Sequence, residues 1–205
     1  MEGFLFYWFA WIGWVISTFF LHKTSLRWKV SMLLLISIML STTYVWIGPF
    51  FVSYTYLFLL VMVCVDISRL KTSKQLYVLF ISLIVMFAYV GFCLLELYDP
   101  VWIFVNRQWL LTAIILYIGF LLVKDDHMRC IVILLGLLGG DFLYSLIVTN
   151  ISMPHPVGQP MFLDLVATVL MLLFIWKVVR SLASQFDWLL GKFQRQKHSP
   201  VKPNN

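Results

Sequence analysis

Charge is what this chain has least of. Only 12% of its 205 residues are charged, and just nine are Asp or Glu. A soluble domain carries about one quarter charged residues, so this composition excludes an ordinary water-soluble fold. Cysteine is also scarce. Cys64, Cys93 and Cys130 are three in number and unpaired in spacing, which excludes a disulfide scaffold and a CxxC metal or redox site. No HExxH, no Gly-rich phosphate loop and no supported Ser/His/Asp arrangement occurs. The four His residues are isolated. No cofactor, metal or catalytic residue is therefore expected.

Apolar residues are abundant. They make up 62% of the chain, and the mean hydropathy is +0.93. A bilayer accommodates this surface because lipid is the solvent. Seven apolar stretches are candidate spans: about residues 3–21, 30–47, 50–65, 76–97, 109–123, 130–149 and 161–179. Most approach the roughly 20 residues that cross a hydrocarbon core as a helix. The expected fold is all-α: a polytopic membrane protein, one bundle of seven transmembrane helices over residues 1–180. Gly48-Pro49 reads as a tight hairpin between the second and third spans.

Fourteen of the fifteen Lys and Arg residues fall in every second gap between these stretches or in the C-terminal segment. The gaps hold Lys23, Arg27 and Lys29; Arg69, Lys71 and Lys74; then Lys124 and Arg129. The intervening gaps carry only Arg107. Cytoplasmic loops collect Lys and Arg, so the expected orientation is N-out and C-in. The net charge of +6 and pI of 9.3 then mark topology and anionic lipid contact, with no nucleic acid implied. Residues 181–198 read as a cytoplasmic amphipathic basic helix that meets anionic lipid, and 199–205 as a disordered tail.

An ionisable group in a span costs about 2.5–3.5 kcal/mol on insertion scales, so it is a functional candidate by default. Asp141 qualifies, at about 16 Å into the sixth span by helical rise. Gly136, Gly139 and Gly140 precede it and form a small-residue contact surface. The preferred reading is polar glue across a tight helix contact. The sharper one is a proton or cation site, or a catalytic carboxyl. Toward the outside lie Glu96, Asp99 and Asp164. Asp99-Pro100 reads as an N-cap followed by Pro at N1, and Asp164 as an acid favoured by the N-terminus of its own helix. Arg107 is the ion-pair candidate for these acids. Tyr89 and Ser145 share faces with Glu96 and Asp141, so a single polar cavity open to the outside and scattered interhelical hydrogen bonds both remain open.

The segment ELYDPVW, Glu96 to Trp102, together with the MEGxxFYW-like start, resembles the YphA family of integral membrane proteins from endospore-forming bacilli. The resemblance implies a bacterial cytoplasmic membrane and a link to building the spore envelope. It brings no catalytic residues. The leading functional expectation is a non-enzymatic membrane protein that supports cell-envelope or spore-envelope assembly through protein or lipid partners. The alternative is a small transporter or ion-coupled carrier using Asp141 and Glu96. An intramembrane enzyme comes third.

Overall fold

A computed structural model describes residues 3–19, 25–48, 50–99, 106–151 and 155–197. Among them are seven helices: α1 (Phe4–Phe19), α2 (Ser25–Leu40), α3 (Tyr54–Ser68), α4 (Thr72–Tyr98), α5 (Arg107–Leu122), α6 (Asp126–Asn150) and α7 (Pro160–Lys197). In lipid every backbone polar group needs an internal partner, and a helix provides one within the segment. The expected helical architecture is what the chain adopts.

Three helices are long and apolar enough to cross a bilayer: Thr72–Tyr98, Asp126–Asn150 and the Pro160–Ala183 part of α7. α1, α3 and α5 are apolar but shorter, at 16, 15 and 16 residues. At 1.5 Å per residue they reach about 22–24 Å.

One element departs from the all-α expectation. The second and third stretches were read as helical through Ile47 and from Phe50. Both helices stop short of the turn, and the chain between them forms a hairpin, β1 (Tyr44–Ile47) paired antiparallel with β2 (Phe50–Ser53). Its sequence, YVWI and FFVS, is aromatic and β-branched, the composition that suits a pleated surface. α2 is closed by hydroxyls: Ser41 Oγ donates to Ile38 O and Thr43 Oγ1 to Leu40 O, satisfying carbonyls that the helix leaves free. Gly48 takes a φ of 62° in the turn, where a Cβ would be strained. Tyr44 stacks on Phe51 at 4.8 Å across the strands. Val157, from the segment before α7, bridges to β2: Ser53 N–H donates to Val157 O at 3.0 Å, and Val157 N–H donates to Phe51 O at 2.8 Å.

The chain divides into two compact units, Met1–Leu170 and Met171–Asn205. In the first, α4 packs extensively against α6, which also meets α3 and α5. Val85 of α4, Ile115 of α5 and Val132, Ile133, Leu137 and Leu138 of α6 are completely buried. Trp8, Phe80, Phe87, Tyr117 and Leu121 are exposed, as lipid-facing side chains are. In the second unit the helix runs on to Lys197. The side chains of the expected amphipathic helix from residue 184 onward, and the tail, lie outside the described residues.

The start of α1, the hairpin and the residue 155–159 segment come together at one end of the first unit, called here the hairpin end. At the opposite end Arg129 is buried. Its guanidinium donates to Val123 O at 2.7 and 3.1 Å and to Lys124 O at 3.2 Å, closing the C-terminus of α5. It also pairs with Asp126 at 2.6 Å and lies 4.3 Å from the Phe120 ring centre. Cations favour helix C-termini for the same electrostatic reason.

Candidate functional site

The site is built on the contact between α4 and α6. A Cβ at Gly136 would stand 2.6 Å from Val85 Cβ and 2.9 Å from the backbone oxygen of Ser82. One at Gly140 would stand 2.7 Å from the Tyr89 ring. A Cβ at Gly139 would stand 3.2 Å from Met86 Sδ. The missing side chains let the two backbones approach closely, and that approach carries Tyr89 to Asp141.

Asp141 is buried, and both its oxygens are occupied. Tyr89 Oη donates to Oδ1 at 3.2 Å and Gly158 N–H donates to Oδ2 at 2.7 Å. Gly158 has a φ of 73°, and a Cβ there would lie 2.6 Å from Tyr56 Cβ. Tyr56 Oη in turn donates to Leu138 O at 2.8 Å. Three segments are thus tied to one turn of α6: α3 through Tyr56, α4 through Tyr89, and the residue 155–159 segment through Gly158.

Asp164 is also buried, but it stabilises a different helix from the one expected. Its carboxylate accepts from Gly3 N–H at 2.8 Å and from Phe6 N–H at 2.7 Å. It is the N-cap of α1, supplied from α7. Asp164→Ala leaves two buried donors without an acceptor, at about 1–3 kcal/mol each. Thermal unfolding of the purified protein is expected to show a large loss for Asp164→Ala and a clearly smaller one for Asp164→Asn, which keeps one acceptor oxygen. Equal losses would mean that the capping bonds contribute little.

Beside Asp141 is a pocket of about 70 Å³, several times the roughly 10–15 Å³ that one water needs. Tyr89, Arg107, Gln108, Asp141, Tyr144, His155 and Gln159 supply its polar lining, and Leu111, Met161, Phe162 and Leu165 the rest. Arg107 Nε pairs with Glu96 Oε2 at 2.8 Å. Gln108 donates to Thr168 Oγ1 at 3.0 Å. His155 packs edge-on against Tyr144 at 5.0 Å, with Gln159 3.3 Å from its Nδ1. Among the described residues no three His, Cys, Asp or Glu side chains gather as a metal site.

A family model described as YphA-like integral membrane protein matches residues 2–199. The chain belongs to that family. It is therefore an integral membrane protein, located in a membrane. It is 29% identical over 186 residues to the Uncharacterized protein YphA of Bacillus subtilis (strain 168), an alignment covering 90% of this chain and 92% of the relative. No solved structure matches it.

In this member of the family the sequence candidates divide. Asp141, Tyr89 and Arg107 share the pocket, and Glu96 joins through its ion pair. Asp164 is elsewhere, at α1. Asp99 follows α4, its N–H bonding Leu95 O, while Pro100 lies outside the described residues. α5 is capped by Asn106, whose side chain accepts from Gln108 N–H at 3.0 Å. Ser145 is buried with no hydrogen-bond partner for its hydroxyl among the described residues. Ser37 and Ser82 bond carbonyls of their own helices, and Ser41 also meets Tyr7 Oη at 2.7 Å. Sequence reading passed over Gly158, Gln108, Tyr144 and Gln159, and set His155 aside as isolated. The Pro and Gly of PVGQP, residues 156–160, are the available signal that the chain turns sharply at Gly158.

His155 gives the pocket a pH response. Burial, reinforced by the positive charge of Arg107, holds its imidazole below the ordinary range. The unfolded chain then binds the proton more tightly. The stabilisation is complete above about pH 6.5, the unfolded value, and is lost as pH falls through the folded one. Wild type is expected to lose more melting temperature on acidification across that range than His155→Gln. Parallel curves would remove His155 from the account.

Proposed function

We propose that this chain is a non-enzymatic, multi-pass protein of the bacterial plasma membrane that supports envelope assembly through protein or lipid partners. The observation that supports it is the use of the two buried carboxylates. Asp141 holds Gly158 and Asp164 holds Gly3 and Phe6, so both bind backbone N–H groups that brace the hairpin end. A braced, pre-organised face is what a partner needs, because little ordering cost remains at binding. We place seven spans in the bilayer with the hairpin end outside and the carboxy terminus in the cytoplasm. The alternation of Lys and Arg supports this, with Arg107 alone at the hairpin end. The spore-envelope form of the role rests on the family resemblance.

The second reading is a carrier, favoured by the pocket in which Asp141 and Arg107 meet. Reconstitution in liposomes separates the two. The assembly reading predicts that Asp141→Asn leaves the protein folded, that wild type shows no proton or cation flux above empty liposomes, and that deletion in the cell disturbs the envelope. Flux in wild type that Asp141→Asn abolishes would establish the carrier instead.

A further inference from the structure

Arg107 is half-used. Its Nε edge is taken by Glu96 at 2.8 Å. Its other two nitrogens meet only sulfur among the described residues: Nη1 is 3.3 Å from Met161 Sδ and Nη2 is 3.8 Å from Cys93 Sγ. Thioether and thiol sulfur are weak acceptors. A guanidinium is a rigid fork whose end-on edge matches two oxygens of a phosphate or carboxylate. Here that edge lines a pocket and, among the described residues, meets no oxygen.

The position narrows the ligand. Arg107 is the first residue of α5, and Glu96 lies in the last turn of α4. Both stand at helix ends, at the level where spans leave hydrocarbon for headgroups. The Arg107 side chain keeps 30% of its surface accessible, so a ligand can reach it. Glu96 neutralises the guanidinium overall, and Asp141 lines the same pocket. A bare anion therefore gains less than one that also brings hydrogen-bond donors for Asp141 and Gln159.

We propose that the end-on edge of Arg107 binds a phosphate group, with Gln159 and Asp141 contacting hydroxyl or ammonium donors next to it. The phosphodiester of a phospholipid headgroup has this chemistry, and free phosphate shares the anionic part. The site does not depend on whether the chain scaffolds or carries, nor on which side the hairpin end faces.

The full chain, purified in a maltoside detergent that contains no phosphate, is titrated with phosphatidylglycerol in the same micelles. In parallel it is titrated with inorganic phosphate. Native mass spectrometry counts bound ligand, and the melting temperature follows stabilisation. Two variants are compared. Arg107→Gln removes the fork. Met161→Glu, at a residue 37% exposed, puts a carboxylate where the sulfur stands and occupies the fork from within. One phosphatidylglycerol is expected per wild-type chain, bound at least about tenfold more weakly by either variant. Binding of inorganic phosphate with the same variant pattern would assign the site to the free anion. Should Arg107→Gln fail to fold, Met161→Glu decides alone. Wild type that binds neither probe, or a folded variant that binds as wild type does, overturns the proposal.

Discussion

Gly136→Leu is expected to unfold the protein or abolish its accumulation in the membrane, and Gly136→Ala to destabilise it by about 1–3 kcal/mol or more. The first added carbon already collides. It would lie 2.6 Å from Val85 Cβ, 2.7 Å from Val85 Cγ1 and 2.9 Å from Ser82 O. Val85 is completely buried, and the Ser82 oxygen belongs to the backbone of α4, so neither can turn away. Only separation of α4 from α6 relieves the contact, and the two helices pack together extensively. Separation also draws Tyr89 away from Asp141, since Gly140 packs on the same tyrosine. Two glycines serve as controls. Gly139 meets the flexible end of Met86, and nothing lies within 4 Å of a Cβ at Gly91. Gly139→Ala is expected to be mild. Gly91→Ala is expected to be neutral or stabilising by up to about 1 kcal/mol, as glycine is a poor residue in the middle of a helix. Melting temperatures that fall equally for Gly136→Ala and Gly91→Ala would contradict this ordering.

The contrast between these glycines shows which parts of the fold are legible in one sequence. Gly136 and Gly140 are four apart, one helical turn, so their common face could be read from spacing alone. The same is true of the basic gaps, because charge is excluded locally from hydrocarbon. The turn at Gly48 is legible, but the strands beside it are not, because an apolar run in a membrane protein reads as span whether it is helical or extended. YVWI and FFVS are hydrophobic enough for either, and only their β-branched and aromatic content favours strands. Asp164 reads as an acid in the first turn of its own helix, but α7 has no acid in its first turn, and the carboxylate serves α1 instead. Gly3 precedes it by 161 positions, and no local pattern encodes that distance. Arg129 illustrates the reverse. Its sign marked it as a topology signal, while its burial and its bonds to Val123 make it a cap as well. In the pocket, Asp141 stands out by the energetic cost of burying it and Arg107 as the exception in the charge pattern, while His155 does not stand out. Gln108, Gln159 and Tyr144 do not either, because neutral polar groups near helix ends cost little and leave no trace in composition.

Asp141→Leu is expected to release the residue 155–159 segment, whereas Asp141→Asn is expected to be almost silent. The leucine takes acceptors from two donors at once, the Gly158 N–H and the Tyr89 hydroxyl. At about 1–3 kcal/mol for each buried donor left unmade, the loss is about 2–6 kcal/mol. The asparagine keeps an oxygen to face Gly158, where the bond is shorter. Its amide N–H then points at Tyr89, and a phenol oxygen accepts as readily as its hydrogen donates. Every bond can be remade by turning one hydroxyl. Hydrogen exchange at the Gly158 amide reads this directly. Its protection should be lost in Asp141→Leu and kept in Asp141→Asn. Tyr89→Phe leaves Asp141 Oδ1 without its donor in wild type and the asparagine N–H without its acceptor in Asp141→Asn, so it should cost stability in both backgrounds. A cost retained in Asp141→Asn would show that the phenol reverses its role. If Asp141→Asn alone exposes the Gly158 amide, the negative charge itself holds the segment. The carboxylate would then be more than a hydrogen-bond acceptor, which is what a cation-coupled carrier requires.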